Sequence, residues 1–192
     1  MLVNNIELNE YEILNKKLGE GALGYVCLAK HKASNEKYAC KISKVKINMD
    51  KDSFYSDKIN KEVIFQSSIV HPSIAKFIGF HPNYDGKYHT LIMMEYCING
   101  SLEEYLKNNI DNENDSTIRQ KFLVGIAHGM KKMHENNCIH LDLKPANVVL
   151  DIDLNPLITD FGTARYLRGT YPVKEKLGSP AYMAPEVLGR GK

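Results

Sequence analysis

Gly19, Gly21 and Gly24 punctuate the run Gly19-Glu20-Gly21-Ala22-Leu23-Gly24-Tyr25-Val26, and the residues after them constrain the fold more than the glycines do. A glycine-rich turn that opens a helix belongs to a dinucleotide fold, whereas one that opens a strand is the bend of a β-hairpin. From Tyr25 to Lys30 the chain alternates like a strand. Tyr11 to Leu18 and Tyr25 to Lys30 are therefore predicted to flank a tight glycine turn. Glycine lets such a backbone pass close over a phosphate chain, because a side chain would fill the space. Alone the pattern is weak, since many strand turns are glycine-rich.

The rest of the first half also reads as strands. Lys37 to Val45 forms a third β-like run after the turn residues Ser34-Asn35. Helical periodicity follows from about Asp57 to Val70 through Ile59, Val63, Ile64 and Ile69, and Pro72 stops it. Ile74 to Phe80 and Tyr88 to Tyr96 give two more strands around a turn at Pro82 to Gly86. Beyond Asn99-Gly100 the character changes. Ser101 is placed to cap a short helix ending near Lys107, and Thr117 to Asn136 carries Ile118, Phe122, Ile126, Met130 and Met133 as an amphipathic helix. The acidic loop Asp111 to Asp115 is not a calcium loop, because Ser116 and Phe122 occupy its sixth and twelfth positions.

A chain of 192 residues makes one large domain or two small ones, and 43% hydrophobic with 25% charged residues is ordinary for a globular protein. A net charge of +2 calls for neither nucleic acid nor membrane as partner. No apolar run approaches the ~20 residues of a spanning helix. Met1-Leu2-Val3-Asn4-Asn5-Ile6-Glu7 lacks the basic and apolar regions of a secretory signal. Cys27, Cys40, Cys97 and Cys138 are scattered, with no C-x-x-C pair, so they offer neither a zinc site nor a disulfide framework. Read as small buried hydrophobes, they point to the reducing cytoplasm, or to the nucleus.

The chemistry sits in His140-Leu141-Asp142-Leu143-Lys144-Pro145-Ala146-Asn147, followed by Asp160-Phe161-Gly162. The two stretches put a carboxylate, an amine, an amide and a second carboxylate on neighbouring loops. Those groups suit magnesium, a phosphate chain and an attacking hydroxyl. An isolated loop aspartate is ordinarily a turn residue, but this ordered set resembles the catalytic and magnesium-binding loops of a protein kinase. The resemblance extends from about Tyr11 to Glu186. It implies an α+β, bilobal kinase-like fold. A five-stranded antiparallel N-lobe sheet with one helix would span residues 1–96, and a partial, mainly helical C-lobe residues 97–192, with a hinge at about 95–100.

It also implies roles for individual residues, with ATP and Mg²⁺ as cofactors and a protein serine or threonine as acceptor. Asp142 would orient the hydroxyl and accept its proton, Lys144 would contact the γ-phosphate, and Asn147 and Asp160 would hold magnesium. Leu18, Gly19, Gly21 and Gly24 belong to the nucleotide-covering hairpin. Lys41 resembles the lysine of the α- and β-phosphates, and Glu62 its ion-pair partner; a lone strand lysine would otherwise be a solvated edge charge. Met93-Met94-Glu95-Tyr96-Cys97 resembles the hinge, with backbone groups of Glu95 and Cys97 for the adenine edge and Met94 as gatekeeper. Val26, Ala39 and Val149 would sandwich the base, or could be plain core residues. Lys144-Pro145-Ala146-Asn147 and Gly178 to Glu186 resemble the serine/threonine class, with Ser179 near Asp142 and Lys144.

Three departures stand out. Leu141 occupies the place of an arginine that receives an activation-loop phosphate. Thr163, Thr170, Tyr171 and Ser179 are candidate phosphosites, yet a switch through position 141 is not expected. Gln66 takes an apolar place in the internal column of Phe77, His140 and Phe161, which predicts a looser helix and a gain of activity or stability in Gln66→Leu. The chain also stops at Lys192, before helices that complete the kinase C-lobe. An apolar underside, open to aggregation or to a covering partner, is expected from that. The alternative to an active kinase is thus a kinase-like nucleotide-binding or interaction module.

Overall fold

Alternate residues of the first-half strands point to opposite faces of a sheet, and here both faces are buried. The computed structural model describes residues 4–21, 24–46, 54–87, 89–109, 116–167 and 177–189. Tyr88, the loop 111–115, Ala22, Leu23, Thr170 and Tyr171 lie outside them. The chain divides into Met1–Val70 with Lys76–Cys97, and His71–Ala75 with Ile98–Lys192.

The first unit holds β1 (Tyr11–Glu20), β2 (Gly24–His31), β3 (Lys37–Lys46), β4 (Phe77–His81) and β5 (His89–Glu95), in the order β1-β2-β3-β5-β4. Every pairing is antiparallel. One face buries Ala29, Cys40, Ile42, Leu91 and Met93. The other sets Ala39, Ile92 and Met94 against Val63 of α1 (Phe54–Ser68). Burial on both faces is why β5 reads as a near-continuous apolar run.

Residues ahead of β1, unassigned in the sequence, close the first face. Ile6 is buried, its N–H donates to the Phe80 carbonyl at 3.1 Å, and the Phe80 N–H donates to the Asn4 carbonyl at 2.9 Å. The Asn4 side-chain amide donates to the Ile78 carbonyl at 2.7 Å. Gly79 makes the approach feasible: a Cβ there would lie 2.3 Å from Ile6 Cγ2.

The strand predicted from Ile74 begins only at Phe77. Ile74 and Ala75 pack in the second unit instead, where the Ala75 N–H donates to the Ile158 carbonyl and the Ile158 N–H to the Ser73 carbonyl, both at 2.9 Å. Ile74 is 2% exposed, so hydrophobic burial and backbone satisfaction favour the same placement. The helix predicted to reach Val70 ends at Ser68, leaving Val70 exposed.

In the second unit α2 (Leu102–Asn108) starts from a reciprocal cap. Ser101 Oγ accepts the Glu104 N–H at 3.2 Å and Glu104 Oε2 accepts the Ser101 N–H at 2.9 Å. The helix α3 (Ser116–Glu135) buries Phe122, Gly129 and Met133. A Cβ on Gly129 would lie 2.7 Å from the Ser73 carbonyl oxygen, and one on Gly125 would lie 2.5 Å from Pro156 Cγ. Small residues thus bring α3 close to the short ladder of β7 (Val148–Leu150) and β8 (Pro156–Ile158). A second ladder pairs β6 (Cys138–Ile139) with β9 (Arg165–Tyr166), and α4 (Pro185–Gly189) is the last described helix. The α+β fold expected from the sequence is present: a five-stranded antiparallel sheet with its helix, and a second unit built around helices.

Candidate active site

The loops carrying Asp142 and Asp160 leave from paired strands, which is what keeps them adjacent. Ile139 pairs with Arg165 and Cys138 with Tyr166, and the Leu167 N–H donates to the Asn137 carbonyl at 2.7 Å. His140 joins the loops from the inside. It is 1% exposed, its Nδ1 accepts the Asp142 N–H at 3.3 Å, and Nε2 lies 3.0 Å from the Thr159 carbonyl oxygen. A ring that accepts at Nδ1 carries its proton on Nε2 and donates there. Burial pushes the His140 pKa down, which favours this neutral form. Its ring packs 5.5 Å from that of Phe161. The Thr163 hydroxyl donates to the His140 carbonyl at 2.8 Å, and the Thr159 N–H donates to the Asn147 carbonyl at 3.0 Å.

Asp142 is surrounded by donors. Its Oδ1 accepts the Ser179 N–H at 2.7 Å, and its Oδ2 accepts Asn147 Nδ2 and faces Lys144 Nζ, each at 3.1 Å. Asn147 Nδ2 also donates to the Asp142 carbonyl at 2.8 Å, while Lys144 Nζ donates to Ser179 Oγ at 2.7 Å. Burial raises the Asp142 pKa, but hydrogen bonds from Ser179 and Lys144, with the lysine charge, outweigh it and hold the carboxyl below its ordinary range. Backbone strain concentrates here too. Leu141 and Asp160 adopt positive φ, 67° and 62°, at a cost of roughly 1–3 kcal/mol each for such non-glycine residues. Gly178, at φ 103°, abuts Leu141: a Cβ would meet the Leu141 carbonyl oxygen at 2.2 Å. Close backbone contact with the Asp142 loop therefore requires glycine before Ser179.

Asn147 is buried and spends its side-chain NH₂ on Asp142, which orients its carbonyl oxygen as the remaining polar group. That oxygen and the Asp160 carboxylate are both hard-oxygen donors, the type that magnesium prefers.

In the first unit, Lys41 Nζ lies 2.5 Å from Glu62 Oε1, and the side chains are 16% and 7% exposed. Lys41 is in register with Val26 and Ile92, on the same sheet face as Ala39. Leu18 and Val26 pack on the cluster of Ala39 and Met94. The glycines divide by role. A Cβ on Gly24 would meet the Ile42 carbonyl oxygen at 2.4 Å, while one on Gly19 or Gly21 would meet nothing within 4 Å. Packing therefore accounts for Gly24 alone. Beside this turn Glu20 bridges Lys17 and Lys44, a triad the sequence left unnoticed; hydrogen bonds from Lys17 and then Lys44 hold its pKa near about 2. Its members come from β1 and β3, and no short-range motif announces them.

Glu95 ends β5 with its N–H donated to the Lys76 carbonyl at 3.0 Å, and Cys97 is buried at 8% exposure. Val149 lies in β7, in register with Leu157 and bridged to Ser101. Gln66, expected to loosen its helix, is 2% exposed and directs Nε2 toward Met94 Sδ at 3.8 Å. The structure thus gathers Asp142, Lys144, Asn147 and Ser179 in one unit, joins the Asp160 loop to them through Thr159, and gathers Lys41, Glu62, Val26 and Ala39 in the other.

The first unit thus holds a strand-turn-strand with a paired lysine, and the second holds two stitched loops bearing Asp142 and Asp160. The chain belongs to the protein kinase family: the family model for the protein kinase domain matches residues 12–192. It is 34% identical over 182 residues to "Probable serine/threonine-protein kinase gdt4" of Dictyostelium discoideum, covering 92% of this chain and 10% of that protein. It is 33% identical over 182 residues to the serine/threonine-protein kinase ATG1a of Arabidopsis thaliana, covering 93% and 28%. It is 30% identical over 187 residues to the carbon catabolite-derepressing protein kinase of Candida glabrata, covering 97% and 29%. The chain therefore spans less than a third of the length of these relatives. Among the described residues, no helix is long and apolar enough to cross a membrane.

Proposed function

We propose that this chain transfers the γ-phosphate of ATP to a serine or threonine hydroxyl of a protein. The observation that supports this most is the state of Asp142: ionised, ringed by Ser179, Asn147 and Lys144, and fixed on a strained loop. Phosphoryl transfer asks a protein mainly for positioning and charge neutralisation. Asp142 would hold the acceptor hydroxyl in line and take its proton as the oxygen bonds to phosphorus and ADP departs. Lys144 would sit against the γ-phosphate, and Ser179 would keep Lys144 and the carboxylate aligned. Asn147 and Asp160 would hold Mg²⁺, which when bound neutralises the phosphate oxygens. Lys41, aimed by Glu62, would serve the α- and β-phosphates.

Leu18, Val26, Ala39 and Val149 would supply apolar surface for the adenine. The Glu95 carbonyl and Cys97 N–H would meet its polar edge; the Glu95 N–H is already committed to Lys76. Gly19 and Gly21 would admit the phosphates, which suits two glycines that packing does not require. We assign residues 1–96 to the nucleotide-binding lobe and 97–192 to the catalytic lobe, and place the protein in the cytoplasm. With Leu141 in the loop, activation would not run through a phosphate held at that position.

The test is radiolabelled phosphate transfer from ATP to a generic basic protein, comparing the chain with Asp142→Asn. Transfer by the first and a loss of at least ~10²-fold in the second is the expected outcome. Mg-ATP binding without transfer would leave a nucleotide-binding module in its place. A folded sample that binds no Mg-ATP would overturn both.

A further inference from the structure

Cys27 and Cys40 belong to no sequence motif, yet β2 and β3 make them direct antiparallel partners. Their row crosses the whole sheet: Lys17 pairs with Cys27, Cys27 with Cys40, Cys40 with Met93, and Met93 with Gly79. Directly opposed residues in an antiparallel ladder project to the same face. Their Cα atoms lie roughly 4.5–5.5 Å apart, inside the roughly 4.4–6.8 Å that a disulfide spans. The two thiols differ in access. Cys40 is 0% exposed, within the cluster of Ile6, Ala29, Ile42, Leu91 and Met93, whereas Cys27 is partly exposed and has Lys17 on its other side.

We propose that Cys27 and Cys40 form a peroxide-responsive dithiol, in which Cys27 is oxidised first and Cys40 closes a disulfide across β2 and β3. The Cys27 thiolate attacks one oxygen of hydrogen peroxide, the O–O bond breaks, and the products are a sulfenic acid and hydroxide, which takes up the released proton as water. The Cys40 sulfur then attacks the Cys27 sulfur. The S–S bond forms, the S–O bond breaks, and the departing hydroxide carries away the Cys40 proton as a second water. Two thiols are oxidised and one peroxide is reduced. Burial raises the Cys27 pKa while Lys17 opposes it, and burial with the nearby Cys27 pushes Cys40 up to about 12. The reaction is accordingly slow at neutral pH and quickens as pH rises. Val26 lies next to Cys27, and Ala39 and Lys41 flank Cys40, so the bond would brace the strands that carry the candidate nucleotide residues.

The chain is treated with hydrogen peroxide at pH 7 and pH 8.5, alkylated under denaturing conditions, digested and examined by mass spectrometry. The expected result is a peptide pair joined through Cys27 and Cys40, formed several-fold faster at the higher pH and released by dithiothreitol. Cys27→Ser should abolish the link and leave Cys40 reduced. Cys40→Ala, checked for folding by circular dichroism, should halt Cys27 at the sulfenic acid. Oxidation of Cys27 to sulfinic acid with Cys40 still free in the unsubstituted chain would overturn the proposal, as would two thiols that remain fully reduced.

Discussion

Asp142 shows how a single residue is tuned by its surroundings. Its folded pKa is held below the ordinary aspartate value of about 3.9. A depressed pKa contributes stability that is present above the unfolded value and is lost as pH falls through the folded one. The unsubstituted chain should therefore lose stability relative to Asp142→Asn as urea unfolding is repeated from pH 7 down to pH 3. A gap constant with pH would contradict the hydrogen-bond geometry. Glu62 makes the complementary case. It is buried against Lys41, so removing it takes a carboxylate away from a largely buried cation. Glu62→Leu is expected to cost about 3 kcal/mol in denaturant unfolding. Combining it with Lys41→Met should recover part of that loss, because the buried cation is then gone as well. The lysine and the aspartates were legible from motif spacing. The Thr163 hydroxyl on the His140 carbonyl was not, because a threonine that bonds a backbone oxygen looks like any other threonine in sequence.

At the scale of elements, the N-terminal segment on β4 adds what motif reading passed over. Gly79 accommodates Ile6 and Asn4, and a methyl group placed there would force either the segment or the strand to move. Gly79→Ala should destabilise by about 1–3 kcal/mol, as overpacking of a close contact does. Deleting the segment through Ile6 should make the same substitution nearly silent. Unequal thermal melts in the full-length background, with equal ones in the shortened background, would bear this out. The helix α1 presents Gln66 to the core, where thioether sulfur is a weak acceptor for its amide. Gln66→Leu should raise the melting temperature, since it removes a buried polar group that gains little from its partner. Strand and helix positions were largely visible as period-two and helical patterns. Ile74 was misplaced because an apolar residue next to a strand reads as strand, whichever layer buries it.

For the whole molecule, binding and transfer are separable through Lys41, assigned to the phosphates and lying in the first unit, and Asp142, assigned to the hydroxyl and lying in the second. Mg-ATP at one hundred times its dissociation constant should stabilise the chain by about 2.7 kcal/mol. A thermal shift should survive in Asp142→Asn and largely vanish in Lys41→Met. A shift lost in both, or retained in both, would count against the division of roles.

The sequence by itself determined the class of the protein, its five strands and two main helices, and the identity of the candidate phosphate, metal and hydroxyl groups. The strands and helices are carried by local periodicity, and the class and candidate groups by short motifs that resemble those of protein kinases. Tertiary structure alone decided which glycine packing requires, that the Asn147 amide closes on Asp142, that Glu20 joins Lys17 to Lys44, and that Cys27 faces Cys40. Each depends on strand register or on loops meeting across a ladder. Register is set by which faces are buried together, a property of the assembled core that no short stretch of sequence contains.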